Sequence, residues 1–92
     1  MEDIRVNKET LIELIEESLG QAVERASITN ETRFLEDLGM DSITLITLLF
    51  LCEEKYGLDL SDRAEEVSKL YRFGECIRFM QECQQNSARL MN

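Results

Sequence analysis

Residues 39–56 read GMDSITLITLLFLCEEKY, and this stretch decides the fold. Gly39 lets the chain turn sharply, and Asp41 favours a helix start because its carboxylate accepts N–H groups that the first turn leaves unpaired. The run that follows, residues 43–52, is apolar except at two threonines. A helix that is apolar on nearly all sides is buried or contacts a partner. The stretch therefore predicts a central, largely buried helix.

Ser42 is expected to be the first residue inside this helix. Its hydroxyl would lie at the end where backbone N–H groups and the helix dipole are positive, which favours a phosphate. A serine at a helix start is also an ordinary capping residue. By itself, Ser42 therefore fits either a phosphate site or a simple cap.

The flanking residues extend the pattern. Residues 34–43 read FLEDLGMDSI, and residues 53–60 read EEKYGLDL. From about Leu11 to Met80 the chain resembles the carrier proteins of fatty-acid, polyketide and nonribosomal peptide synthesis. In that family a Gly-x-Asp-Ser-[Leu/Ile] motif opens the second helix, and its serine carries 4′-phosphopantetheine. The resemblance implies that Ser42 is the attachment residue and that Asp41 and Ile43 are the neighbours that complete the cofactor site.

Composition predicts one small globular domain with a core of its own. Of 92 residues, 43% are hydrophobic and 32% are charged, and the formal net charge is −9. Such a charge disfavours DNA or RNA, whose phosphates would repel it, and favours basic protein partners. We expect a carrier domain over residues 1–83, a polar and frayed tail over residues 84–92, and a monomer.

Catalysis by this chain is not expected, because it contains no histidine, the commonest general base and zinc ligand. Neither a metal site nor membrane insertion is predicted, since the apolar run is too short to cross a bilayer. Cys52, Cys76 and Cys83 form no Cys-x-x-Cys pattern. Their expected role is that of small buried residues in a reducing cytoplasm.

The fold we predict is an all-α four-helix bundle with three main helices and a short third one. Asn7 caps the first helix, which ends at Gly20. Its apolar residues have helical spacing: Leu11, Ile12, Leu14, Ile15 and Leu19. A long connection follows over residues 21–38, with one short helical turn after Gly20. It is pinned to the core by Ile28, Phe34, Leu35 and Leu38.

The second helix is predicted from Asp41 to Tyr56. One apolar face, widened by Leu45 and Cys52, is expected to pack on the core: Ile43, Ile46, Leu49 and Phe50. Leu48 and Leu51 are then surplus and exposed. Ser61 or Asp62 caps a short third helix from Arg63 to Val67. A fourth helix begins near Phe73, with an apolar face formed by Phe73, Cys76, Ile77, Met80 and Cys83.

The resemblance implies that a phosphopantetheinyl transferase loads Ser42 from coenzyme A and that acyl-loading, condensing or acyltransfer enzymes are the other partners. Two departures from the family favour a specialised pathway. Thr44 and Thr47 occupy positions where fatty-acid carriers usually place acids, and Arg72 stands where a Ser or Thr often caps the fourth helix. The chain begins at Met1 without a Pro/Ala-rich linker, so we expect a free-standing carrier.

A partner face is therefore predicted along the second helix, mainly apolar near Ser42. Its members are Thr44, Thr47, Leu48, Leu51, Glu53 and Glu54. Two alternatives remain open: an aminoacyl or peptidyl carrier of the same family, and a helical adaptor that binds partners without phosphopantetheine. A calcium-binding protein is disfavoured, because no loop has the spacing of acidic ligands that calcium requires.

Overall fold

A computed structural model describes the backbone of residues 4–90 and the side chains of residues 4–86. Within this range the elements are all helical apart from one isolated bridge between Arg33 and Arg72. The four helices are α1 (Lys8–Leu19), α2 (Ser42–Tyr56), α3 (Ala64–Val67) and α4 (Phe73–Leu90). Single 3-10 turns occur at Arg25–Ser27 and Ser61–Arg63. The predicted all-α bundle with a short third helix is confirmed.

Local sequence signals set both ends of α1. The Asn7 side chain accepts the Thr10 N–H at 2.9 Å, and the Thr10 hydroxyl accepts the Asn7 N–H at 3.2 Å, which satisfies two otherwise unpaired donors. Gly20 ends the helix with φ of 74°, a left-handed conformation that costs glycine little. The predicted start and stop of α1 are confirmed.

Helix α2 has the predicted bounds, but the side of the helix that faces the core is not the predicted one. Its core row is Leu48, Cys52 and Tyr56, spaced four residues apart, and it lies on the side of the helix that packs against α1. Three of the residues expected in the core are instead exposed: Ile43 at 76%, Ile46 at 53% and Phe50 at 65%. Cys52 is buried and Leu45 and Leu49 pack half-buried against the core, as predicted. The predicted exposure of Leu48 is therefore wrong, since Leu48 is 0% exposed. An almost wholly apolar helix gives no directional signal, so periodicity could not choose its buried side.

The connection between α1 and α2 is packed, as predicted, and it also caps α4. Ile28 and Phe34 are buried, whereas Leu35 is exposed, contrary to its predicted anchoring role. The Thr32 carbonyl accepts the Phe73 N–H at 2.8 Å, and the Asn30 carbonyl accepts the Gly74 N–H at 2.9 Å. A Cβ on Gly74 would lie 2.6 Å from the Asn30 Cβ, so the close approach requires glycine. The loop thus satisfies donors that the first turn of α4 leaves free.

The third helix begins differently from the prediction. A 3-10 turn at Ser61–Arg63 precedes α3, and neither Ser61 nor Asp62 supplies a side-chain cap. Asp59 accepts the Ser61 N–H at 3.0 Å and the Ser61 hydroxyl at 2.7 Å. The acid two residues upstream competes for Ser61, and the predicted cap is wrong.

Helix α4 begins after Arg72, whose N–H is accepted by the Glu75 carboxylate at 3.1 Å. It runs to Leu90, past the predicted tail boundary at residue 83. Gln84 accepts the Val6 N–H at 3.1 Å and donates to the carbonyls of Ile4 and Tyr56. Gln84 is therefore packed, while residues 91–92 of the predicted tail lie outside the described residues. The domain division itself stays a prediction.

The core is shared by all three long helices and the loops between them. The three cysteines are free and buried, as predicted. Along residues 4–90, no helix has the length and apolarity needed to span a bilayer.

Candidate attachment site and neighbouring pocket

Ser42 is the first residue of α2 and is exposed, as the sequence predicts. The turn before it is set by Gly39, with φ of 69°, and by the buried side chain of Met40. The Met40 N–H donates to the Phe34 carbonyl at 3.1 Å, which ties the turn to the loop. The hydroxyl is thus presented from a fixed helix end and is accessible to another protein.

Asp41 caps α2 from an extended backbone conformation. Its carboxylate accepts the Thr44 N–H at 2.7 Å. This backbone hydrogen bond holds the pKa of the Asp41 carboxyl below its usual 3.8. The carboxylate next to Ser42 is therefore ionised at neutral pH.

The residues predicted as a partner face are not brought together on one outward surface. Leu48 is buried in the core, and Leu51 is half-buried against it. Glu53 accepts the Leu60 N–H at 2.8 Å, so its carboxylate has an internal partner. Thr47 and Glu54 are exposed, and Thr44 is half-buried. Only part of the predicted set is available to a partner.

Sequence reasoning missed the apolar face that is exposed instead. Ile43, Ile46 and Phe50, hereafter the apolar face, follow Ser42 along α2. They lie three and four residues apart, which places them on one side of the helix. The buried row Leu48, Cys52 and Tyr56 was not distinguished in the sequence from the other apolar rows of α2, so no local signal indicated this face.

An apolar pocket lies between α2 and residues 60–68, which form its outer wall. Its volume is about 510 Å³, within the usual range for small-molecule sites. Residues from α2, the long loop and the outer wall line it, and Ser42 is among them: Leu35, Ser42, Leu45, Ile46, Leu49, Phe50, Glu53, Leu60, Ser61, Ala64, Val67 and Ser68. The pocket was not predicted from the sequence, because its two sides are distant in the chain.

Apart from Ser42, the polar side chains of the pocket each have a hydrogen-bond partner among neighbouring groups. Glu53 accepts the Leu60 N–H at 2.8 Å, and Ser68 donates its hydroxyl to the Glu65 carbonyl at 2.7 Å. The Ser61 hydroxyl donates to Asp59. The pocket therefore offers an apolar surface with few free hydrogen-bonding groups.

The core also holds titratable groups, the phenol of Tyr56 and three thiols. Burial raises the pKa of Cys76 to about 12 and also raises the pKa of Cys52 and of Cys83. All three stay protonated at neutral pH. Among the described residues no group of His, Cys, Asp and Glu side chains is arranged to hold a metal ion.

Comparison with known proteins agrees with this geometry. The family model described as "Phosphopantetheine attachment site" matches residues 9–68, well over half of the chain. The acyl carrier protein of Rickettsia typhi is 32% identical over 77 residues, covering 84% of this chain and 85% of the relative. The acyl carrier protein of Helicobacter pylori strain G27 is 32% identical over 60 residues, covering 65% of this chain and 74% of the relative.

An exposed serine at a capped helix start, the match to the attachment-site family and the extent of these similarities agree with one another. The family implies a covalently attached 4′-phosphopantetheine, and the exposed Ser42 hydroxyl fits such a group. Its members work with a phosphopantetheinyl transferase and with biosynthetic enzymes. The chain therefore belongs to the acyl carrier protein family, whose members are carriers and not catalysts.

Proposed function

We propose that this carrier is loaded at Ser42 and holds acyl intermediates of a specialised lipid or natural-product pathway. The observation that supports it most is the position of Ser42, exposed at the capped start of α2 and also lining the apolar pocket. The two threonines of α2, where fatty-acid carriers usually have acids, favour a specialised pathway over housekeeping fatty-acid synthesis.

Loading requires the Ser42 Oγ to attack a phosphorus of coenzyme A. The new O–P bond forms as the bond to the adenosine bisphosphate breaks, and the Ser42 proton leaves to a base. In this proposal the transferase would supply that base and the magnesium, which fits a chain without histidine. The ionised Asp41 beside Ser42 is placed to help seat the transferase and its metal. When bound, the phosphopantetheine group supplies the thiol that carries the acyl chain as a thioester.

The pocket supports an apolar cargo. Each methylene buried from water contributes about 0.8 kcal/mol, so a lining of Leu, Ile, Phe and Val side chains favours a hydrocarbon chain. A charged aminoacyl group would lose hydration against this largely apolar lining, where Ser42, Glu53, Ser61 and Ser68 are the polar residues. An acyl cargo is therefore favoured over the aminoacyl alternative.

The partner surface we propose is the apolar face together with the exposed Thr47 and Glu54. Ile43, Ile46 and Phe50 are large apolar side chains open to solvent directly after Ser42. The net charge of −9 opposes pairing of two copies and favours a partner whose contact region is apolar with a basic rim. Leu48 is excluded from this surface by its burial.

We place the protein in the cytoplasm. Three free, buried cysteines suit a reducing compartment, where thiols are not driven to pair.

The decisive experiment incubates the protein with coenzyme A and a broad-specificity phosphopantetheinyl transferase and records the intact mass. We expect a gain of one phosphopantetheine in the parent protein and none in Ser42→Ala. Ser27→Ala is the matched control, because Ser27 is another exposed serine in a helical turn, and this variant should load normally. Because Ser42 lies outside the core, its substitution should change the free energy of unfolding by no more than about 0.5 kcal/mol. Loading of Ser42→Ala, or its unfolding, would contradict the proposal.

A further inference from the structure

The outer wall of the pocket is held less firmly than the side formed by α2. None of the residues from Ser61 to Val67 is buried. Helix α2, in contrast, places Leu48 and Cys52 fully in the core. Segments with few buried apolar contacts open at low free energy cost. The start of the wall is anchored by the buried Leu60, and Val67 near its end packs half-buried against the core, which leaves the stretch between them to be held by polar contacts.

Arg63 makes such a contact within this stretch. Its guanidinium carbon lies 4.8 Å from the centre of the Phe79 ring, and one of its N–H groups points to the Cys83 sulfur at 3.5 Å. Phe79 and Cys83 are both buried residues of α4. Arg63 therefore connects the outer wall to a helix that belongs to the core.

Glu66 fixes the orientation of this side chain. Its two carboxylate oxygens accept from the Arg63 Nε at 2.8 Å and the Nη2 at 2.7 Å, a bidentate pair. Glu66 lies in the outer wall itself, so this pair orients the guanidinium but does not connect the wall to another element. The contacts of Arg63 with Phe79 and Cys83 are the ones that connect the wall to α4. Lysine would keep the charge but lose the planar two-pronged geometry.

We propose that Arg63 is a positioning residue that clips the outer wall to α4 and thereby determines how well the pocket retains an acyl chain. The inference rests on the proposed function, since it takes the pocket as the seat of the cargo. Without the clip the wall samples open arrangements. An acyl chain that enters the pocket must then also order the wall, so its net binding free energy becomes less favourable.

The first measurement uses the unloaded protein, so that it does not depend on any cargo. Amide hydrogen exchange is followed at Ser68, Lys69 and Leu70, whose N–H groups donate to the carbonyls of residues 64, 66 and 67. Arg63→Gln should raise exchange at these amides about three- to tenfold, as expected for loss of one cation–π contact, a weak hydrogen bond and the pair with Glu66. Amides of α1 should not change. Arg63→Lys should give a smaller increase, and Arg78→Gln, an exposed arginine of α4, should give none.

The second measurement loads the same proteins with octanoyl phosphopantetheine, using octanoyl-coenzyme A and the transferase. The readout is the rise in Tm over the same protein carrying phosphopantetheine alone. We expect Arg63→Gln to reduce this rise, Arg63→Lys to retain part of it and Arg78→Gln to retain all of it. This difference separates cargo retention from stability as such, because each variant is compared with its own unloaded-thiol form.

Three results would overturn the inference. Unchanged exchange at residues 68–70 in Arg63→Gln would mean that Arg63 does not hold the wall. Faster exchange with an undiminished rise in Tm, or no rise in the parent protein, would mean that the clip does not act on cargo. Failure of the parent protein to accept octanoyl phosphopantetheine would instead contradict the proposed function, while the exchange result would still decide whether Arg63 holds the wall.

Discussion

At the scale of single residues, Asp41 carries a charge whose contribution depends on pH. The hydrogen bond from the Thr44 N–H lowers its folded-state pKa below the unfolded value. The ionised cap therefore stabilises the fold above the unfolded pKa, and that contribution is lost as pH falls through the folded pKa. Asp41→Asn keeps a neutral hydrogen-bond acceptor, so its Tm at neutral pH should stay close to that of the parent protein. The part of the fall in Tm at acid pH that comes from protonation of Asp41 should be absent in this variant.

Thermal melts across the acid range check this expectation, with Asp41→Ala as the variant that loses the cap at every pH. The same variants test the second role of Asp41. We expect Asp41→Asn to be loaded more slowly by the transferase, whereas Asp37→Asn, an exposed acid before the turn, should load at the parental rate. Equal rates for Asp41→Asn and the parent protein would leave Asp41 as a helix cap only.

At the scale of one element, α2 has one side that is buried and stabilises the fold and another that is exposed and is proposed to contact partner enzymes. Leu48 is fully buried, so Leu48→Ala should lower the free energy of unfolding by about 2–5 kcal/mol. Phe50 is 65% exposed, so Phe50→Ala should change stability by only about 0.5 kcal/mol. Covering a large apolar side chain contributes roughly 1.5–3 kcal/mol, so Phe50→Ala should instead weaken binding to a partner enzyme.

Chemical denaturation of both variants and binding of each to a dedicated acyl-transfer enzyme measure the two effects. Tyr71→Ala is the control, because Tyr71 is an exposed aromatic residue outside α2. Equal loss of affinity in Tyr71→Ala and Phe50→Ala would contradict a contact surface on α2. Loss of stability in Phe50→Ala would mean that this side of the helix is packed.

At the scale of the whole molecule, one side chain joins three segments that are far apart in the chain. Gln84 of α4 accepts the Val6 N–H and donates to the carbonyls of Ile4 and Tyr56. Replacing it with leucine leaves these groups without their partner, at a cost of about 1–3 kcal/mol for each group that stays buried. Gln84→Leu should therefore lower stability clearly, whereas Gln85→Leu, at an exposed neighbouring position, should have little effect. Denaturant unfolding of the two variants makes the comparison.

Equal stability of the two variants would show that water replaces Gln84 and that the N-terminal segment is not held by it. Hydrogen exchange at the Val6 amide gives a second readout. It should rise in Gln84→Leu and not in Gln85→Leu, because only Gln84 accepts that N–H.

The features that could be predicted from the sequence are those decided within a few residues of chain. The caps at Asn7 and Asp41 and the left-handed end at Gly20 each depend on local hydrogen bonds and backbone conformation. The position of Ser42 at the start of α2 follows from the same local rules.

The features that could not be predicted depend on distant parts of the chain. The first N–H groups of α4 are satisfied by carbonyls of Thr32 and Asn30, which no local pattern indicates. The buried side of α2 depends on where α1 packs, since most of its faces are apolar. The pocket forms only where α2 lies against residues 60–68. Its volume and the presence of Ser42 in its lining could therefore be read only from the folded structure.

The burial of Cys52, Cys76 and Cys83 has a consequence for the chemistry of a loaded carrier. A thioester is cleaved by thiolates, and a reactive thiolate on the same polypeptide would compete for the acyl group by sulfur-to-sulfur transfer. Here all three thiols are protonated and enclosed by the core. The cysteines therefore do not attack the thioester of the cargo. An alkylating reagent applied to the folded, phosphopantetheine-bearing protein should react first with the terminal thiol of the prosthetic arm.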